Sequence, residues 1–171
     1  MILIVAGVSG SGKTTVGERL GQRLGWPFAD ADGFHPAANV AKMHAGIPLT
    51  DADRMPWLGS ITAWMDERIA AGESAVVSCS ALRRSYRSLL LSGRPGAVMV
   101  FLRVGRDELR HRLATREGHF FEPELLDSQL ATLEPPEPDE GVLSVPSEPD
   151  PAETVARVIK TLTSSGHTLG A

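Results

Sequence analysis

Eight residues, Gly7-Val8-Ser9-Gly10-Ser11-Gly12-Lys13-Thr14, constrain this chain more than any others. They follow an apolar run over residues 1–6 that reads as a buried strand. They lead into residues 15–24, where Val16, Leu20 and Leu24 recur on one helical face. The pattern G-x-x-x-x-G-K-[ST] between a strand and a helix is the context a phosphate-binding loop requires. Glycines let successive backbone N–H groups curl into one concavity, and the helix N-terminus adds partial positive charge. Lys13 has the reach for β- and γ-phosphates, and the Thr14 hydroxyl is placed for Mg²⁺.

Strand and helix patterns alternate through the rest of the chain. Strands are expected at residues 26–31, 74–79, 97–102 and 142–145. Helices are expected at about 39–44, from the capping pair Thr50/Asp53 to Gly72, from Ser80 to Leu91, and over 107–117. A short helix is expected near Pro123. The last helix starts on Asp150-Pro151 and leaves 164–171 as a frayed tail. Such alternation implies an α/β fold with a parallel sheet covered on both faces and ligand at the C-terminal strand edge. The 171 residues suit a single domain. Residues 118–139, which end in the run Glu134-Pro135-Pro136-Glu137-Pro138, read as a mobile lid.

A net charge of −4 gives no electrostatic reason to expect nucleic acid or an anionic membrane as partner, and no apolar run reaches membrane-spanning length. The single cysteine, Cys79, excludes an internal disulfide and fits a reducing, cytoplasmic setting. His44, His111 and His167 lack metal-ligand spacing, and Trp57, Trp64 and Met65 read as core.

A phosphate loop specifies a nucleoside triphosphate, not a reaction. A GTPase switch, a nucleotide-binding ATPase module and a small-molecule kinase all use one. Asp30-Ala31-Asp32-Gly33 matches the short D-x-x-G pattern of GTPases, but no Asn-Lys-x-Asp segment accompanies it. No partner-facing or repeat feature marks an ATPase module. A kinase needs a second pocket, and Asp32, His35, Lys42, Arg54, Arg83, Arg87 and His119 supply candidates in loops or beside strand ends. Cations beyond those needed for a nucleotide point to an acceptor that is itself anionic.

Those same stretches carry a family resemblance. His35-Pro36-x-x-Asn39-x-x-Lys42-Met43-x-x-Gly46-x-Pro48-Leu49-x-Asp51-x-Asp53-Arg54-x-Pro56-Trp57-Leu58 strongly resembles the gluconate kinases (gluconokinases). So do Cys79-Ser80-Ala81-Leu82-Arg83-x-x-Tyr86-Arg87, Arg116-x-Gly118-His119-Phe120-Phe121 and Ser128-Gln129-x-x-Thr132-Leu133-Glu134-x-Pro136. Shikimate kinases and nucleoside monophosphate kinases share the architecture but not the middle segment. The chain departs from the family where Asp30-Ala31-Asp32 replaces the usual Asp-Gly-Asp, and where Arg83 replaces a frequent lysine.

The resemblance implies a three-layer α/β/α fold like the nucleoside monophosphate kinases, with a five-stranded parallel sheet. It implies transfer of the ATP γ-phosphate to the terminal hydroxyl of D-gluconate, with Mg²⁺, by a homodimer. Other small anionic acceptors such as shikimate are the alternative substrates. On this reading Ser9, Gly10, Ser11, Gly12, Lys13, Thr14 and Thr15 hold the ATP phosphates. Asp32 orients or deprotonates the acceptor hydroxyl, or acts on Mg²⁺ through water. Arg54, Arg83 and Arg87 grip the carboxylate and hydroxyls of gluconate, with His35, Lys42, His119 and Gln129 as further contacts. Arg112 and Arg116, one helical turn apart, resemble the lid arginines that bring positive charge to adenine or the transferring phosphate.

Overall fold

The computed structural model of the chain describes residues 1–115 and 123–169. Five parallel strands form one sheet: β1 (Ile2–Ala6), β2 (Phe28–Asp30), β3 (Ala75–Cys79), β4 (Ala97–Arg103) and β5 (Leu143–Pro146). Their order is β2-β3-β1-β4-β5. β1 pairs with β3 on one side and β4 on the other, so the chain changes direction across the sheet at β1. Such a switch point opens a crevice beyond the strand's C-terminal end, and the loop from Gly7 begins there.

Both sheet faces are covered, which explains why the strands are apolar runs rather than alternations. On one face Ile2, Ile4, Val77, Cys79 and Met99 pack against α3 (Asp51–Ala70) and α4 (Arg84–Leu91) through Leu58, Ile61, Met65 and Leu90. On the other, Leu3, Val5, Val100 and Leu102 pack against α1 (Lys13–Leu24) and α7 (Pro151–Ser164) through Val16, Leu20, Val155, Val158 and Leu162. A Cβ at Gly17 would stand 2.7 Å from the Phe28 ring, so glycine is what lets α1 sit this close to β2. A third cluster joins Val8 of the phosphate loop to Leu82, to Leu109 and Leu113 of α5 (Arg106–Ala114), and to Leu126 of α6 (Pro123–Thr132).

Local signals place most boundaries. Thr50 and Asp53 form the expected capping box of α3, and Asp150 caps α7 ahead of Pro151. α2 (Ala37–His44) starts earlier than its apolar pattern suggests, directly after Pro36. The expected cap at Ser80 is not used. Ala81 has φ 42°, in the left-handed region, and α4 begins only at Arg84. The tail is not wholly frayed, since Leu169 packs against the α1/α7 cluster.

Of the expected lid, residues 118–122 lie outside the described residues. Beyond α6 the chain is fastened to α4. Glu134 N–H donates to Leu82 O at 2.9 Å, and the Arg84 N–H donates to Glu134 Oε2 at 2.7 Å. The Arg84 guanidinium pairs with Glu137 and Asp139. Arg87 Nε and Nη2 grip Glu140 at 2.7 and 2.9 Å, with both side chains at most 5% exposed. The Arg87 contact holds the Glu140 carboxyl below its usual range, so this stabilisation is present above pH 4.5 and lost as acid protonates it.

Breaking a buried pair leaves an uncompensated charge. Glu140→Ala should therefore cost on the order of 3–5 kcal/mol, read as a lower midpoint in urea unfolding. A midpoint unchanged from wild type would contradict the role given to the pair.

Candidate active site

The loop after β1 is shaped by its glycines. Gly10 has φ 81°, and a Cβ there would meet Leu113 at 2.9 Å, so a side chain would both strain the loop and displace α5. Ser11 N–H donates to Val8 O at 3.1 Å, closing the turn. α1 then starts from Gly12 with no capping side chain and no acid in its first turn. The first-turn N–H groups of an uncapped helix have no intrahelical partner and favour an anion. Lys13, Thr14 and the exposed Thr15 occupy this turn.

The acidic stretch after β2 meets the loop through Asp30. Thr14 Oγ1 donates to Asp30 Oδ2 at 2.9 Å, and Asp32 N–H donates to Asp30 Oδ1 at 3.0 Å. Asp32 thus lies in a short 3₁₀ turn (Ala31–Phe34) whose geometry Asp30 sets. A hydroxyl and a carboxylate beside a phosphate loop are the hard oxygen donors Mg²⁺ takes, completed by phosphates and water. Among the described residues no cluster of three or more His, Cys, Asp or Glu could hold a metal ion by itself.

His35 follows the turn and is held on two sides. Its ring stacks on Trp57 at 4.5 Å and 10°, and Nδ1 lies 3.3 Å from Asn39 Nδ2. Trp57 Nε1 donates to Ala31 O at 2.7 Å, so one core tryptophan fixes both the acidic turn and the histidine. Burial lowers the His35 pKa. Asp32 pulls it back up and Arg54 pushes it further down. Arg54, on the first turns of α3, donates to the Tyr86 hydroxyl at 3.5 Å and lies over that ring. Arg83 faces Asp51 at 3.6 Å.

Two expected acceptor contacts are placed otherwise. Arg87 is fully buried, bonded to Glu140 and to the carbonyls of Ala81 and Leu82. It shapes the turn that carries Arg83 rather than facing the crevice. Lys42 pairs with Asp53 at 2.7 and 2.9 Å. That hydrogen bond lowers the Asp53 pKa to about 2, and the pair ties α2 to the cap of α3. Cys79, pushed up to about 12 by burial, is no nucleophile.

On the opposite flank, Arg112 leaves α5 to bond Glu108 at 2.7 Å and the Ser147 hydroxyl and carbonyl at 2.9 and 3.1 Å. Ser147 Oγ in turn donates to Ser11 O at 2.9 Å. Glu108, Arg112 and Ser147 wall a groove of about 330 Å³ with Gly12, Thr15 and His111. Gln129 of α6 accepts the Ser9 N–H at 2.7 Å. Arg116 and His119 lie outside the described residues.

Asp30, Asn39, Asp51, Tyr86, Glu140 and Ser147 were not among the expected site residues. Asp30 was visible as an acid at a strand end. Asn39, Asp51 and Tyr86 lay within the resembling segments. Glu140 and Ser147 had no local signal.

This loop, with an acidic turn and cations on one sheet edge, defines a phosphotransfer-type nucleotide site. A family model described as an AAA domain matches residues 2–136. A gluconokinase from Gluconobacter oxydans (strain 621H) is 49% identical over 158 residues, covering 92% of this chain and 89% of that protein. A solved gluconokinase structure from Sinorhizobium meliloti 1021 aligns with TM-score 0.84 and 44% identity, covering 95% of this chain and 91% of that one. Shikimate kinase from Aquifex aeolicus, 16% identical with TM-score 0.64 and full coverage of both chains, shares the fold. The chain belongs to the gluconokinase family.

Because burial disfavours its cation, His35 should titrate below 6.5 and be neutral at pH 7. The unfolded chain then takes this proton first, so the His35 contribution to stability is intact above pH 6.5 and declines as pH falls below it. Ring-proton chemical shifts against pH measure this directly; a midpoint at or above 6.5 would contradict the burial argument.

Proposed function

We propose that this chain is a gluconokinase: it transfers the γ-phosphate of ATP to the terminal hydroxyl of D-gluconate, giving 6-phosphogluconate and ADP. The observation that carries the reading is the Asp30 bridge, which joins the Mg²⁺-type hydroxyl of Thr14 to the turn bearing Asp32. Nucleotide and acceptor would share one wall. Identity of 49% with a gluconokinase over most of both chains supports the acceptor's nature.

Phosphoryl transfer is mainly positioning and electrostatics. The N–H groups of residues 9–15 cradle the phosphates, and Lys13 balances β/γ charge. Thr14, with Asp30 beside it, would hold Mg²⁺, which would neutralise phosphate charge. Asp32 orients the acceptor hydroxyl and accepts its proton. Neutral His35 contacts a substrate hydroxyl. Arg54 and Arg83 take the carboxylate, for which planar guanidinium groups are suited. Arg112 borders the groove for the nucleoside end. The chain acts as a single-domain cytoplasmic homodimer, in which the α6 region, with Arg116 and His119, covers the bound substrates.

The test is ADP release from Mg·ATP on adding D-gluconate, with shikimate and other sugar acids as comparisons. Gluconate-dependent ADP is the expected result; turnover with shikimate alone would overturn the assignment. Lys13→Ala should lower kcat about 10²–10³-fold with the unfolding temperature unchanged, as expected for loss of one donor to developing charge.

A further inference from the structure

α3 opens with an acid and a base three residues apart, Asp51 and Arg54. At that spacing helical side chains are neighbours and opposite charges pair. Here no ion pair joins them among the described residues, because a third group stands between. Tyr86, from α4, donates its hydroxyl to Asp51 Oδ1 and accepts from Arg54 Nη1 at 3.5 Å. The Tyr86 ring is 5% exposed and packs in the core with Trp57 and Leu58, so the hydroxyl has a fixed place. The other Asp51 oxygen faces Arg83 at 3.6 Å.

The consequence concerns the acceptor. Asp51 is a carboxylate of this chain itself, 61% exposed in its side chain, 3.6 Å from Arg83 and three helical positions before Arg54. Unrestrained, it competes with a substrate carboxylate for Arg54. In the structure one Asp51 oxygen is taken by Tyr86, and the partners of Arg54 among the described residues are the Tyr86 hydroxyl and ring face. Burial and the Asp51 hydrogen bond both raise the Tyr86 pKa, so the hydroxyl stays a donor across the working pH range. We propose that the Tyr86 hydroxyl is a positioning group for the acceptor, holding Asp51 off Arg54 so that this guanidinium is open to an anionic substrate. The inference rests on the reading of Arg54 as an acceptor contact.

Tyr86→Phe keeps the ring and removes only the hydroxyl. It should raise the KM for gluconate about threefold to tenfold, the size of a partly exposed ion pair or one lost hydrogen bond, with the KM for ATP unchanged. Adding Asp51→Asn to that variant removes the competing charge and should restore most of the gluconate KM. A merely structural role for the hydroxyl predicts no rescue and a parallel change in both KM values, and either outcome overturns the proposal. Asp51→Asn alone, with Tyr86 intact, should leave the gluconate KM unchanged or lower; a rise would overturn the proposal even if Tyr86→Phe failed to fold. Wild-type protein that turns over no gluconate would remove the reading of Arg54 and this inference together. Wild-type turnover with an unaltered Tyr86→Phe KM would remove this inference alone.

Discussion

The site depends on one carboxylate. Asp30 ends β2, accepts the Thr14 hydroxyl from the start of α1, and accepts the Asp32 N–H of the turn that follows. The start of α1 and the turn after β2 are thereby locked together at the crevice. The arrangement requires β2 to lie close to α1, which glycine at position 17 permits by leaving room for Phe28. It also requires the turn after β2 to stay compact, which Trp57 secures from α3 through its bond to Ala31 O. A catalytic constellation is as exact as the groups behind it, and here those groups are a tryptophan indole and a missing Cβ.

The features legible in the sequence are those fixed by nearby residues. The phosphate loop, the five strands, the Thr50/Asp53 box and the Asp150-Pro151 start each need only a few consecutive residues to declare themselves. What was not legible involves partners far apart in the chain. Ser80 looks like a helix cap, yet α4 starts later because Ala81 and Leu82 turn their carbonyls to Arg87. Arg87 looks like a substrate cation, yet its carboxylate partner lies 53 residues on. Lys42 likewise looks free until the fold sets Asp53 beside it, where Asn39 and Lys42 both bond that residue. A cation's role is decided by which acid the fold brings to it, and one-dimensional spacing carries no such information.

The same reasoning separates the cations that can meet a substrate from those that hold the scaffold. Arg87 and Glu140 are both buried, so their mutual charge compensation is obligatory. Arg54 and Arg83 are partly exposed and meet a hydroxyl and a distant carboxylate, contacts an incoming anion can match or exceed. A pocket for a polyhydroxy acid needs such unsaturated donors, and it needs rigid neighbours to keep internal acids from saturating them.

α6 touches both halves of this site. Gln129 takes the Ser9 N–H on the nucleotide side, while Glu134, just past the helix, bonds Leu82 and Arg84 on the acceptor side. The two attachments differ in strength. The first is a single neutral hydrogen bond, worth about 0.5–1.5 kcal/mol net. The second continues into the Arg84 pairs and the buried Arg87–Glu140 pair. The N–H that Gln129 accepts belongs to the phosphate loop itself, so the position of α6 and the donors of that loop are coupled through this bond.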